Sequence, residues 1–135
     1  MKRRDFFKSG LIGLSLPSFL FGKSSVNRNK NNPVIITTWN YPRANKAAIK
    51  TLNNNGNAMD AVEAGCRVLE ADEKNIYIGI GSLPDETGKV TLDACVMDSN
   101  GNCGSVAFLQ NIVHPISVAR KVMEDTKHVM LVGEG

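Results

Sequence analysis

The sequence predicts an α+β fold in which helices pack on an antiparallel sheet. A β-branched run at 34–39, bounded by Pro33, is typical of a buried strand. The dipeptide Asn100-Gly101, a strong hairpin signal, separates two apolar segments further along the chain. Helical patterns lie on both sides of this hairpin. We therefore expect a strand, two helices, a hairpin, a helix and a final strand, in that order.

Three helices are predicted from the spacing of apolar residues and from their first residues. The first begins at Pro42, which suits a first helical turn, and ends before the polar run 53–56. The second covers about 58–71, and Asp60 near its start complements the helix dipole. The third covers about 115–125 and also opens with a proline. Each has an apolar side that can pack on a sheet or on another helix.

The remaining strands are predicted at 89–98, 103–109 and 128–132. Asp93 interrupts the apolar alternation of the first of these, so we expect it on the solvent face or in a structural hydrogen bond. Trp39 ends the strand at 34–39, where a tryptophan either lines a pocket or caps the core. The alternating apolar face of the segment 89–98 consists of Val90, Leu92, Ala94 and Val96.

A glycine-rich stretch at 78–85 precedes a predicted turn at 86–88. Gly79 and Gly81 suggest a phosphate-binding loop at first sight. However, the stretch lacks the Lys-Ser/Thr pair of a P-loop and the third glycine of a dinucleotide-binding turn. A nucleotide site is therefore not expected here.

Charge is unevenly distributed along the 135 residues, a length that suits one domain of roughly 100–200 residues. Residues 1–32 contain seven basic residues and one acidic residue, whereas residues 33–135, the predicted folded domain, contain nine basic and twelve acidic residues. The net charge of +3 therefore comes from the first segment. No basic stripe remains in the predicted domain, which excludes nucleic-acid binding.

Residues 1–32 have the pattern of an export signal followed by a linker. A basic start precedes a moderately apolar stretch at 9–21, which is too short to span a bilayer. Arg3 and Arg4, followed by two phenylalanines and Lys8, resemble the twin-arginine signal. An ordinary secretory signal is the alternative. We expect export to the periplasm without a permanent membrane anchor.

Residue types alone assign no metal centre and no catalytic set. The three cysteines, Cys66, Cys95 and Cys103, lack CxxC spacing, so core thiols are the better interpretation. No Ser/His/Asp set and no Cys/His pair can be nominated. Thr37 and Thr38 are internal to a predicted strand and are not expected to act as nucleophiles.

Several motifs, taken together in order and spacing, are much more specific. They resemble the start of the glycosylasparaginases, a branch of the N-terminal-nucleophile asparaginase family, over essentially all of 33–135. This region corresponds to roughly the first third of a family chain. The motifs are Thr38-Trp39-Asn40, Met59-Asp60-Ala61-Val62-Glu63, Gly79-x-Gly81, Pro84-Asp85, Thr91-Leu92-Asp93-Ala94, Gly104-Ser105-Val106, Pro115-Ile116-Ser117-Val118-Ala119-Arg120 and His128-Val129-Met130-Leu131-Val132-Gly133.

The resemblance implies the first part of a four-layer αββα sandwich and an amidohydrolase made as a self-cleaving precursor. In the family, a new N-terminal threonine attacks the side-chain amide of an asparagine derivative, and its own α-amino group is the base. That threonine is expected beyond residue 135, so no catalytic residue is assigned here and this chain alone should be inactive. The partners implied are a small asparagine-linked substrate and the protein's own downstream segment. No cofactor and no metal are implied.

The resemblance also places Trp39 at the wall of the substrate pocket and Tyr77, Gly79 and Gly81 near the active site. Glycosylasparaginases typically read S-V-G-x-G-G-x-P-D where this chain has the segment 77–85, so a small polar residue is replaced by Tyr77. Three readings therefore stay open: a glycosylasparaginase, an isoaspartyl peptidase or L-asparaginase of the same superfamily, and a non-catalytic exported module. The substrate, the effect of Tyr77 on self-cleavage, the leader cleavage point and the oligomeric state, including a homo-oligomer, also stay open.

Overall fold

A computed structural model describes residues 32–133. The predicted leader, 1–32, lies outside these residues except for its last position. Three helices and three strands follow one another, with a short 3₁₀ turn at Gly79–Gly81 between the second helix and the first strand. They are α1 (Pro42–Asn53), α2 (Ala58–Glu70), β1 (Leu92–Met97), β2 (Cys103–Leu109), α3 (Pro115–Asp125) and β3 (Met130–Val132).

The helices begin where the sequence predicts them. A proline occupies the first turn of α1 and of α3, where its missing N–H costs no hydrogen bond. The helix α2 begins with a capping box, because the side chains of Asn57 and Asp60 accept hydrogen bonds from each other's backbone N–H groups. Small residues let α1 and α2 pack closely, and a Cβ at Gly65 would lie 3.2 Å from the Ala44 carbonyl oxygen.

The hairpin of β1 and β2 is antiparallel, as predicted, with Met97 opposite Cys103. Its loop turns through Gly101, whose φ of +85° is the left-handed conformation that glycine adopts readily. A bulge interrupts β2 at Phe108, which has a φ of +60°. The bulge sets Leu109 opposite Leu92, so that both are buried.

The sheet is mixed rather than antiparallel, which corrects the prediction. The short strand β3 pairs in parallel with β2, in the order β1-β2-β3. The helix α3 makes the crossover between them, because two parallel strands need a connection long enough to return the chain to the same edge. The core lies between α3 and the hairpin and consists of Val96, Val106, Leu109, Ile116, Ala119 and Val122.

The predicted strand at 34–39 is wrong, because no strand forms there. The segment pairs with none of the three strands, and Val34 and Ile36 are 77% and 86% exposed. β-branched composition favours extended backbone, but a strand also needs a hydrogen-bonded neighbour, and the described residues supply none. The argument that

The sheet face turned away from the helices is exposed. Met97 of β1 and both Met130 and Val132 of β3 are more than half exposed on this side of the described chain. A mixed sheet with one bare apolar face is what half of a two-sheet sandwich would present. The α+β class is compatible with the structure, whereas a second sheet and a four-layer sandwich are not seen in residues 32–133.

Candidate functional site

Two of the residues predicted near a site, Trp39 and Tyr77, lie in contact although 38 positions separate them. Their ring centroids are 5.9 Å apart and the ring planes are inclined by 36°. Such a tilted arrangement is favourable for aromatic rings. We call these two residues the aromatic pair. Both side chains are mostly exposed, 62% for Trp39 and 68% for Tyr77, so Trp39 does not cap the core of the described chain.

Trp39 is held by its own backbone. Its carbonyl oxygen accepts hydrogen bonds from the backbone N–H of Tyr41 and from the Thr37 hydroxyl, both at 2.9 Å. The Asn45 side chain of α1 donates in turn to the Thr37 hydroxyl at 3.3 Å. The segment before α1 is therefore anchored to that helix even though it forms no strand.

The turn Gly79–Gly81 holds Tyr77 in place from the other side. Gly79 is buried with a φ of +75°, and a Cβ there would overlap the main chain of Glu70 at the end of α2. A Cβ at Gly81 would lie 2.5 Å from the Glu73 carbonyl oxygen. Both positions therefore require glycine for close packing on α2. Contact of these glycines with a substrate stays a prediction.

Glu70 is a buried residue that sequence reasoning missed. It is 3% exposed, and its carboxylate accepts a hydrogen bond from the backbone N–H of Ile116 at 2.9 Å. The His114 Nδ1 atom lies 3.3 Å from its other oxygen. Glu70 thereby caps the start of α3, which no side chain of its own cap residue does. Burial raises the pKa of this carboxyl above its ordinary value of 4.5, against the hydrogen bonds from Ile116 and His114.

Replacing Glu70 by alanine and by glutamine should separate its cap from its charge. Glu70→Ala leaves the Ile116 N–H buried and unpaired, so we expect a loss of about 2 kcal/mol in the free energy of unfolding. Glu70→Gln keeps an acceptor and should lose much less. Denaturant unfolding should be measured on the full gene product, meaning everything the reading frame encodes through its stop codon. Equal losses in the two variants would contradict the cap.

The pH dependence of the same two proteins gives the sign of the charge effect. Because the pKa of Glu70 is raised in the folded state, its contribution to stability is fully present below the unfolded pKa and is lost as pH rises through the folded pKa. Glu70→Gln carries no such titration. Its stability relative to the parent should therefore increase as pH rises above about 4.5. An unchanged difference between pH 4 and pH 7 would contradict this assignment.

A cluster of ion pairs joins α2 to α3 through Arg120. Its guanidinium group lies 2.8 Å from carboxylate oxygens of Asp60 and Glu63 and 2.7 Å from one of Glu124. The pKa of Asp60 is lowered by the Asn57 backbone and by Arg120. Burial acts to raise the pKa of Glu63, but hydrogen bonds from Ser117 and Arg120 hold it below its ordinary value. Perturbed carboxylates often mark catalytic sites, but these are fully paired and join two helices.

The cysteines do not form a site. Cys66 is half-buried, and burial raises the pKa of its thiol, whereas Cys95 is exposed. The prediction of core thiols is therefore wrong for Cys95, which lies on the outer face of the sheet. Within residues 32–133, no group of three or more histidine, cysteine, aspartate or glutamate side chains could hold a metal ion. No helix in the same range is long and apolar enough to cross a membrane.

Comparison with known proteins identifies relatives over nearly the whole chain. A profile of the asparaginase family matches residues 19–135. The chain is 45% identical to the N(4)-(β-N-acetylglucosaminyl)-L-asparaginase of Elizabethkingia miricola over 98% of this chain and 41% of that protein. The proteins of the same name from Mus musculus and Rattus norvegicus are 40% and 44% identical, over 91% and 94% of this chain and 36% and 37% of theirs. The chain thus spans about two fifths of the length of these curated relatives.

Proposed function

The chain belongs to the asparaginase family, and we propose that the protein it forms part of hydrolyses the side-chain amide of N4-(β-N-acetylglucosaminyl)-L-asparagine. The observation that carries this proposal is the 45% identity, over 98% of the chain, to a relative whose name specifies this substrate. The mouse and rat relatives carry the same substrate in their names. Isoaspartyl peptides and unsubstituted asparagine are therefore not favoured as principal substrates.

The proposed nucleophile is a threonine beyond residue 135 that self-cleavage places at a new N-terminus. Its hydroxyl adds to the amide carbonyl, and its α-amino group takes up the proton and returns it to the departing glycosylamine. Water then cleaves the resulting ester, which releases aspartate and regenerates the threonine. The hydroxyl of Thr37 does not compete for this role, because it donates to the Trp39 carbonyl oxygen.

The described residues would contribute the framework of the pocket. In this proposal, Trp39 forms a wall beside the scissile amide, and the turn Gly79–Gly81 borders the active site. The support is geometric, since the aromatic pair and this turn lie on one continuous surface anchored to α1 and α2. The exposed face of the sheet is where the downstream segment would pack.

The 135-residue chain alone should be inactive. It lacks the proposed nucleophile, so incubation with N4-(β-N-acetylglucosaminyl)-L-asparagine should release no aspartate above a blank. The full gene product, assayed in parallel, serves as the positive control. Aspartate released by the 135-residue chain would contradict the proposed location of the nucleophile and would point to a different site.

Processing tests the proposal without any substrate. The full gene product should convert into two polypeptides that stay associated, and the second should begin with threonine. Intact mass and N-terminal sequencing measure both properties. A reading frame that ends at Gly135, or an active protein that stays a single uncleaved chain, would contradict the proposed mechanism.

We also propose export through the twin-arginine route. The pair Arg3 and Arg4 is read by the export receptor in that route, so replacing both with lysine should retain the full gene product in the cytoplasm. Cell fractionation followed by immunoblotting measures this distribution. Unaltered export of the double variant would indicate an ordinary secretory signal instead.

A further inference from the structure

We propose that a cavity beside Tyr77 is a saccharide subsite, which receives the sugar ring that the substrate carries beyond its scissile amide. This inference rests on the proposed function and extends it to a binding site. The cavity has a volume of about 340 Å³ and lies where the start of α1 and the end of α2 meet the loop 72–77. That volume falls within the range of small-molecule sites.

Tyr77 connects this cavity to the proposed substrate pocket. Its ring lines the cavity and contacts Trp39, which itself is not part of the lining. A substrate whose amide lies beside Trp39 would therefore extend past Tyr77 into the cavity. An aromatic ring offers a flat apolar face to the C–H groups of a sugar and a hydroxyl at its edge. Two adjacent aromatic side chains that are mostly exposed are also typical of a binding surface rather than of a core.

The polar lining suits a neutral, hydroxylated ligand. Arg43 and Asp72 pair with each other at 2.8 Å, and Lys74 lies beside them. The cavity thus combines hydrogen-bond donors with an acceptor, and each sugar hydroxyl can act in both ways. Because the charges of Arg43 and Asp72 largely offset each other, a strongly charged ligand gains little here.

Asn75 supplies an independent indication of a bound polar group. Its Oδ1 atom accepts a hydrogen bond from the Tyr77 backbone N–H at 3.1 Å. Its Nδ2 atom is buried and has no hydrogen-bond partner among residues 32–133. Buried donors without a partner are uncommon, and they often mark a site filled by a ligand or by water. Asn75 also lines the cavity, so this donor lies in its wall.

Substrate selectivity of the full gene product tests the subsite. Tyr77→Ser should lower kcat/KM for N4-(β-N-acetylglucosaminyl)-L-asparagine about tenfold more than for asparagine, which carries no sugar. Tyr77→Phe keeps the ring and should change this ratio less than threefold. Leu83→Ser is the matched control, because it truncates an exposed apolar side chain of the same loop outside the cavity. The ratio in this control should not change.

A parallel fall for both substrates in Tyr77→Ser, or an equal change of the ratio in Leu83→Ser, would overturn the subsite while leaving the proposed function intact. Direct binding makes the test independent of catalysis. Saturation-transfer NMR with N-acetylglucosamine should show contact with the parent protein and a loss of signal in Tyr77→Ser. Absent contact, or contact that survives Tyr77→Ser, would overturn the proposal even if the protein hydrolyses neither substrate.

Discussion

Gly79→Ala should destabilise the full gene product by about 3 kcal/mol or more and displace Tyr77 from Trp39. Left-handed backbone costs a residue with a Cβ about 1–2 kcal/mol, and Gly79 has a φ of +75°. The larger contribution is steric, because the new methyl group would overlap the main chain of Glu70. Rotation of a side chain cannot relieve a clash with backbone, so the turn must move away from α2. Denaturant unfolding gives the loss, and tryptophan fluorescence, with Trp39 the only tryptophan in these 135 residues, reports the displacement.

Gly88→Ala is the matched control for this prediction. Gly88 has a similar φ of +82°, but no atom lies within 4 Å of the position where a Cβ would be added. This variant should therefore show only the backbone cost of about 1–2 kcal/mol. The difference between the two variants isolates the close approach of the turn to α2. Equal losses would contradict the packing described for Gly79.

Gly104→Ala should be the second large effect, because it separates the sheet from α3. Gly104 is buried in β2, and a Cβ there would overlap the main chain of α3 at Ala119 and lie 2.5 Å from the Met123 nitrogen. Overpacking of this kind costs about 1–3 kcal/mol and sometimes more. The core residues that α3 contributes would lose contact with the hairpin together. Thermal unfolding of the full gene product measures the effect.

Ser105→Ala provides the comparison for this strand. Ser105 is the next residue of β2, half-buried on the opposite side of the sheet. A substitution there should change the free energy of unfolding by less than about 0.5 kcal/mol. A small loss in Gly104→Ala, similar to that in Ser105→Ala, would show that α3 does not approach β2 closely.

The helices and the hairpin could be predicted because local residues determine them. Pro42, the pairing of Asn57 with Asp60 and the turn at Gly101 each act within a few positions of the chain. The segment 34–39 failed because its β-branched residues have no strand beside them in the described chain. The parallel pairing of β3 failed for a related reason, since the direction of a short strand depends on the crossover through α3 and not on its own residues.

The candidate site divides in the same way. Motif resemblance indicated Trp39, Tyr77 and the two glycines, and the structure brings Trp39 and Tyr77 into contact. The role of the glycines in packing on α2 depends on a contact with Glu70 that no local pattern shows. Burial of Glu70 itself was missed because a glutamate in the last turn of an amphipathic helix ordinarily faces solvent. Its partners lie 44 and 46 positions away, at the start of α3.

Hydrolysis by the full gene product tests the central claim most directly. The protein should release aspartate from N4-(β-N-acetylglucosaminyl)-L-asparagine with a kcat/KM well above its values for asparagine and for a β-aspartyl dipeptide, measured side by side after self-cleavage is complete. A higher value for the dipeptide or for asparagine would assign the protein to another branch of the family. No aspartate from any of the three substrates, despite complete self-cleavage, would contradict the proposed function.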